Sequence, residues 1–461
     1  MNHHKNKFIS ILDNERVSDR GEDLFEFGRD WTRDYTPDPS LILFPKTTNE
    51  VEAVVSYCYK ENIKLVPSGG RTGLAAAAVA SQKEVVISFN KMNRIIAVDV
   101  ESGSIEVEAG VILENVQHAA AQAGMYFPLD FAARGSCQIG GCISTNAGGL
   151  KVIKYGMMRE LVLGLEIVTP TGETLRLNSN LHKNNSGYDL KQSFIGAEGT
   201  LGLITRATLK IVPKPRDLQL ALLATNQFLD ILNILKAAKL QSLDLTAFEF
   251  FAESCMESVL THVPNTRNPF DKMYPYYVLL EIDSEGDPEK LQRFVESIEP
   301  SILDGTVALD RKTFKELWAY RENTPEVIQK LGHVHKNDIA VPISSMPRFI
   351  IELEKMIHDK YSGFQVLLFG HIGDGNIHVN VIDAKRMPAD EFGRMTDDLD
   401  VTMCELIKSY HGSISAEHGI GLLKKKLMYL HRNPEEIQTM KQIKSLFDPK
   451  NICNPGKIID M

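Results

Sequence analysis

The reading of this chain turns on His371-Ile-Gly-Asp-Gly-Asn-Ile-His378. Val366, Leu367, Leu368 and Phe369 lead into it, and Ile377, Val379 and Val381 alternate with polar residues on the way out. The pattern predicts two strands joined at Asp374-Gly375, a dipeptide that favours the two-residue turn of a tight β-hairpin. A turn centred there sets His371 opposite His378, and directly opposed side chains on one face have Cβ atoms roughly 4.5–5.5 Å apart. Asn380, two residues beyond His378, points to the same face. Paired imidazoles suit a shared metal ion. Downstream, Ser413-Ile-Ser-Ala-Glu417-His418-Gly419 offers Glu417 as an oxygen ligand, and three protein ligands leave open positions, as catalytic sites do. His418 would then be free to act as a base. Two histidines and one acid this close in sequence are also common without any metal.

The bulk properties narrow the field. With 461 residues the chain is long enough for two or three domains with substantial cores. Apolar residues make up 43% and charged residues 24%, the balance of a soluble globular protein. A net charge of −9 and a pI near 5.9 exclude a general nucleic-acid role, which needs a basic face, and leave an anionic substrate to be drawn in by local cations. Six scattered cysteines, none at metal-knuckle spacing, fit a reducing compartment without disulfides. The polar start Met-Asn-His-His-Lys has no apolar core behind it, so no signal peptide is expected, and His3-His4 reads as a solvated tail. No apolar run reaches the ~18 residues of a membrane span. A cytoplasmic location follows, with peripheral membrane contact through a redox partner as a further option.

Working outward in order, residues 1–35 form a polar segment with room for a short helix or two. Leu41–Pro45 and Lys64–Pro67 read as strands, and the helix between them repeats Val51, Val54, Val55 and Cys58 at helical spacing. This strand–helix–strand alternation suggests an α/β layer. Pro67-Ser-Gly-Gly-Arg-Thr-Gly-Leu74 follows; its backbone N–H groups could close on phosphate oxygens, or it could be a plain loop. It is neither the Rossmann fingerprint nor a P-loop. Six glycines in the twenty-two residues Gly135–Gly156 suit neither helix nor strand, but fit extended backbone lying on a large ligand. Asn185–Leu190 leads to another glycine-dense turn, Gly196–Thr205. Pro213-Lys-Pro-Arg216 is a boundary in texture. Beyond it, strands at 219–224, 276–282, 365–369 and 377–382 alternate with charged helices at 227–239, 288–298, 345–361 and 389–410, an α+β arrangement on an antiparallel sheet. The divisions expected are 1–35, 36–216, 217–425 and a C-terminal segment 426–461.

Taken together, Pro67–Leu74, Pro128–Gly156, Asn185–Thr205, His371–Val381, Ser413–Gly421 and Phe447–Lys457 resemble the flavoprotein 2-hydroxyacid dehydrogenases of the vanillyl-alcohol-oxidase (p-cresol methylhydroxylase) superfamily. The closest subgroup contains D-2-hydroxyglutarate dehydrogenase, D-lactate dehydrogenase and the glycolate oxidase catalytic subunit. The resemblance implies an α+β fold: a two-part FAD-binding domain, an antiparallel-sheet substrate domain, and a C-terminal segment returning to the flavin. Carried over by position, Pro67, Gly69, Gly70, Arg71, Thr72 and Gly73 look like the pyrophosphate cradle. Gly135, Ser136, Gly140, Gly141, Asn146, Gly148 and Gly149 resemble the stretch along the FAD. Glu198, Gly199, Gly202 and Ile204 resemble the adenine-side turn, and Asn454 the closing motif near the flavin ring. Members that attach FAD covalently in the first loop carry a histidine where this chain has Arg71, so the FAD is expected to be non-covalent.

The same resemblance makes His371, His378 and Glu417 ligands of a divalent metal, Zn2+ with Mn2+ as the alternative, and His418 the catalytic base. Arg321 and Lys336 match an arginine and a lysine that hold the distal carboxylate in the D-2-hydroxyglutarate subgroup, and Asn380 falls on the substrate face. A position that is usually a hydroxyl residue, four after the arginine, is Pro325 here. The implied reaction oxidises a D-2-hydroxyacid, D-2-hydroxyglutarate first, to the 2-oxoacid, by proton abstraction from the hydroxyl and hydride transfer to flavin N5. D-lactate or glycolate oxidation is the runner-up within the class. A flavin-free metal-dependent hydrolase and a non-catalytic FAD-binding subunit are the rivals outside it. No NAD fingerprint is present, which leaves quinone, electron-transfer flavoprotein or cytochrome as electron acceptor. A homodimer is the base-rate expectation.

Overall fold

The computed structural model describes residues 2–32 and 34–461. The chain folds as two units. The first comprises Met1–Gly148, Tyr155–Lys214 and Glu417–Met461; the second comprises Gly149–Lys154 and Pro215–Ala416. Two features of this division differ from the texture of the sequence. A six-residue excursion, Gly149–Lys154, belongs to the second unit, and the return to the first begins at Glu417 rather than at 426.

The first unit holds two main sheets. One has four strands, Val17–Ser18 (β1), Leu41–Leu43 (β2), Leu65–Ser68 (β3) and Val85–Ser88 (β4), in the order β1-β2-β4-β3. β2, β4 and β3 run parallel, as the strand–helix–strand alternation predicts. The crossover helix Thr48–Glu61 starts where the Thr47 hydroxyl accepts the Glu50 N–H and ends at Asn62 in a left-handed conformation (φ 56°). Val51, Val54, Val55 and Cys58 form its buried stripe, and burying each valine contributes roughly 1.5–3 kcal/mol. The second sheet is antiparallel: Ile95–Asp99 (β5), Ser104–Glu108 (β6), Val162–Val168 (β8), Thr174–Leu177 (β9) and Leu203–Lys210 (β10), in the order β5-β6-β10-β8-β9. Met125–Tyr126 (β7) pairs separately with Val212–Pro213 (β11). The helix Asn2–Leu12 buries Phe8 and Leu12 in this unit's core, and His4 bonds the Tyr57 hydroxyl at 2.8 Å, so His3-His4 is not simply a solvated tail.

The second unit is built on a seven-stranded antiparallel sheet. Its strands are Leu218–Thr225 (β12), Leu245–Ala252 (β13), Tyr276–Asp283 (β14), Asp304–Val307 (β15), His333–Ala340 (β16), Gln365–Gly370 (β17) and Asn376–Asp383 (β18), in the order β15-β12-β14-β13-β17-β18-β16. One face buries Leu220, Leu222, Phe251, Tyr277, Leu279, Leu367 and Phe369 together with Leu317, Trp318 and Tyr320 of the helix Arg311–Glu322. A buried polar knot fastens the excursion to this face. The Glu281 carboxylate receives Lys151 Nζ and the Thr246 hydroxyl on one oxygen and Trp318 Nε1 at 3.1 Å on the other.

The hairpin at 371–378 forms, but not in the register its sequence predicts. Phe369, not His371, lies opposite His378, and the connection is a five-residue loop rather than a two-residue turn. The reason lies in its neighbours. The His371 carbonyl accepts the N–H groups of Asp374, Gly375 and Asn376 at 3.2, 3.2 and 3.3 Å, while Gly373 N–H bonds the Phe248 carbonyl and Val341 N–H bonds the Gly375 carbonyl. Strands on both sides therefore hold the loop open, and Gly375 takes the positive φ (97°) that the arrangement needs.

Candidate active site

The first unit contains a cavity of about 340 Å3, within the range of cofactor pockets. Three glycine-rich turns make its walls. Pro67, Gly69, Gly70, Arg71, Thr72 and Gly73 line one side; Gly140, Gly141 and Gly148 line another; Glu198, Gly199, Gly202 and Ile204 close a third, with Asn454, Glu417 and His418 also at the wall. The turns fit tightly to one another. A Cβ on Gly70 would stand 2.3 Å from the Ser136 carbonyl oxygen and 2.7 Å from Cys137 Cα, so only glycine fits. A Cβ on Gly141 would meet no protein atom within 4 Å.

Four of the residues expected along the cofactor do not line this cavity. Gly135 and Ser136 are exposed, Gly149 belongs to the second unit, and Asn146 is spent on the fold: its Oδ1 accepts the Arg159 N–H at 2.8 Å. Two wall residues, Asn454 of the closing motif and Gln138, which no motif singles out, are polar and incompletely satisfied. Gln138 Oε1 and Asn454 Oδ1 are buried with no partner among the described residues, although Gln138 Nε2 bonds Asn90, and Asn454 Nδ2 bonds the carbonyls of Ala77 and Glu198. Open backbone at Gly141, unpartnered acceptors and a wall rich in glycine and alanine fit a flat dinucleotide cofactor such as FAD. The Arg71 side chain is held at this wall, with Nη2 on Glu26 at 3.2 Å and its guanidinium 4.4 Å from the Phe27 ring centre.

Glu198 does more than turn the chain. Its carboxylate accepts the N–H groups of Ile420 (2.6 Å) and Gly421 (2.8 Å), and so pins the segment that carries Glu417 and His418. Burial pushes its pKa up to about 7, against the lowering effect of those two bonds and of Lys424 and Lys457.

The second unit gathers a separate set of polar groups at one end of its sheet face. Register pairs Lys336 with Asn380 and Asp338 with His378 on neighbouring strands, so the four side chains share a face. The His371 ring, from the loop, meets the His378 ring edge-on with centres 5.4 Å apart. Each histidine has an acid behind it. His371 Nδ1 lies 2.7 Å from Glu249 Oε1, and His378 Nδ1 lies 3.8 Å from Asp338 Oδ1. Arg321 is 4% exposed; its Nε bonds Glu249 Oε2 at 2.9 Å and its guanidinium lies over the Phe369 ring, 4.5 Å from the centre. Lys336 is half-buried, forms no ion pair among the described residues, and burial alone draws its pKa down.

Of the predicted site residues, the fold thus brings His371, His378, Arg321, Lys336 and Asn380 into one unit, and puts Glu417, His418 and most of the glycine positions into the other. The chain passes directly between the two at Ala416–Glu417. Glu249 and Asp338 are the partners that sequence reading passed over. A lone acid in the apolar run Leu245-Thr-Ala-Phe-Glu-Phe-Phe-Ala252 is the signal that marks Glu249, because an unpaired charge is rarely buried.

Comparison with known proteins agrees with this anatomy. Residues 39–178 match the family described as FAD binding domain, and residues 214–458 match FAD linked oxidases, C-terminal domain. D-2-hydroxyglutarate dehydrogenase of Stutzerimonas stutzeri (strain A1501) is 41% identical over 97% of this chain and 97% of its own. The mitochondrial D-2-hydroxyglutarate dehydrogenase of Arabidopsis thaliana is 37% identical over 98% of this chain and 80% of its own. Among solved structures, p-cresol methylhydroxylase with substrate bound shares the fold, with a TM-score of 0.77 at 16% identity, covering 100% of this chain and 97% of that one. The chain belongs to the FAD-linked oxidase family, as an FAD-linked dehydrogenase related along nearly its whole length to D-2-hydroxyglutarate dehydrogenases.

Proposed function

We propose that this enzyme oxidises a D-2-hydroxy dicarboxylate, D-2-hydroxyglutarate first, to the corresponding 2-oxoacid. Lys336 carries the reading. A half-buried ammonium without a carboxylate beside it, on the sheet face of His378 and Asn380, calls for an anionic partner supplied from outside the protein. Kinship with dehydrogenases named for D-2-hydroxyglutarate points the same way. Bound FAD supplies a two-electron acceptor, and the first unit's cavity residues are its seat. The cofactor is non-covalent, since Arg71 stands where a histidine would make the bond.

His371, His378 and Glu417 hold a divalent cation, Zn2+ or alternatively Mn2+, which when bound supplies Lewis acidity toward a hydroxyl and its neighbouring carboxylate. Two observations support the set. The two rings already meet within one unit. The Ala416 N–H also bonds the Asp338 carbonyl at 3.4 Å, so the strand beside His378 holds the chain one residue before Glu417. His418 removes the hydroxyl proton, a task suited to a neutral imidazole near pH 7. Lys336 and Arg321 orient the far carboxylate, and Asn380 steadies the substrate on the sheet face. In this reading the enzyme is cytoplasmic and is reoxidised by a quinone, an electron-transfer flavoprotein or a cytochrome.

One observation favours oxidation of D-lactate or glycolate instead. With Pro325 in the usual hydroxyl position, the adjacent Thr324 is fully buried and its hydroxyl bonds the Tyr320 carbonyl at 2.8 Å, so that hydroxyl is not offered to a ligand. Dye-linked turnover of D-2-hydroxyglutarate, its L enantiomer, D-lactate and glycolate separates the readings. Formation of 2-oxoglutarate from the D enantiomer at the highest kcat/KM supports the first; a higher value for D-lactate or glycolate replaces it with the second.

A further inference from the structure

Glu249 belongs to none of the motifs, yet it joins the two halves of the second unit's polar cluster. It is 1% exposed, on β13, and each carboxylate oxygen has one partner: Oε1 faces His371 Nδ1 at 2.7 Å and Oε2 receives Arg321 Nε–H at 2.9 Å. An ionised carboxylate only accepts, so His371 must carry a proton on Nδ1, and in the neutral ring Nε2 is then the unprotonated nitrogen. The same carboxylate, with the Phe369 ring beneath the guanidinium, fixes how Arg321 lies.

We infer that Glu249 is a positioning residue that sets the His371 tautomer for cation binding and, through its other oxygen, orients Arg321 for the substrate carboxylate. This rests on the proposed roles of His371 and Arg321. The alternative is mere charge compensation, in which Glu249 keeps a buried arginine neutralised and has no bearing on the ion.

Glu249→Gln discriminates, because one of the two accepting oxygens becomes an NH2 donor, which cannot accept the N–H that the oxygen received there. On chelator-treated holoenzyme titrated with Zn2+ and Mn2+ against a competing chelator, the expected result is a roughly 10- to 100-fold loss of ion affinity. The KM for D-2-hydroxyglutarate should rise as well, and Glu249→Asp, which keeps both acceptors, should recover part of each loss. His371→Ala is the control. If it abolishes ion binding while Glu249→Gln binds as tightly as wild type, the positioning role is overturned and the cation reading stands. If His371→Ala binds the ion as well as wild type, the cation reading fails and the positioning role falls with it. Should Glu249→Gln not fold, the 15N spectrum of the wild-type His371 ring decides without a variant: a proton on Nδ1 in the ion-free holoenzyme is expected, and a proton on Nε2 overturns the inference.

Discussion

Replacing Lys336 by alanine tests how the enzyme distinguishes a dicarboxylate from a monocarboxylate. The ammonium sits half-buried with no ion pair among the described residues, so its contact with a substrate carboxylate would be a charge-assisted hydrogen bond in a shielded site. Such bonds contribute about 1.5–3 kcal/mol, which corresponds to a fall in kcat/KM of about 10- to 150-fold. The loss should appear with D-2-hydroxyglutarate, measured under a dye acceptor. D-lactate has no far carboxylate and should change by less than about threefold, a margin of about 0.7 kcal/mol. The variant should not be less stable. A folded-state pKa below the unfolded value means the fold disfavours the charged form, so the charge is a standing cost at neutral pH and its removal leaves the melting temperature equal or higher. Equal losses on both substrates would refute the clamp, and a large drop in melting temperature would show that Lys336 is structural.

Further outcomes follow from particular contacts. Gly70→Ala pushes a methyl into the Ser136 carbonyl and should lower both stability and flavin content, whereas Gly141→Ala meets no protein atom and should lower flavin content alone; visible absorbance per protein alongside a thermal melt separates them. With Arg71 held by Glu26 and Phe27, acid precipitation should release all yellow colour to the supernatant, and colour retained in the pellet contradicts non-covalent binding. Glu198 has a folded pKa raised to about 7, so the native state binds the extra proton and stability should fall as pH rises from about 4.5 to 7. The full shift corresponds to a few kcal/mol, about 1.4 for each unit. Glu198→Gln should flatten that slope in melts across the range, and an unchanged slope removes Glu198 as its source.

The parts of the fold legible in sequence are those where local pattern and packing agree. The stripe Val51, Val54, Val55, Cys58 marks its helix, the strand–helix–strand alternation marks a parallel layer, and the alternation through 365–382 marks an antiparallel hairpin. The loop of that hairpin is not legible, because its size is set by the Phe248 carbonyl and by Val341, groups far away in sequence that an Asp-Gly dipeptide does not report. The strand His333–Ala340 escapes the pattern because it is polar, as a strand at the end of a sheet can be. The two histidines, Arg321, Lys336 and Asn380 were all readable as candidates. Their acidic partners were not, since Glu249 stands 122 residues from His371 and 72 from Arg321, and only the sheet brings them together.

The central claim, a flavin and a divalent cation acting together on a D-2-hydroxyacid, is met most directly by dye-linked turnover of D-2-hydroxyglutarate before chelation, after it, and after Zn2+ or Mn2+ is restored, with flavin absorbance followed throughout. The account expects activity to vanish on chelation while the flavin stays bound, and to return with the ion. Full activity in the chelated, ion-free protein would contradict it.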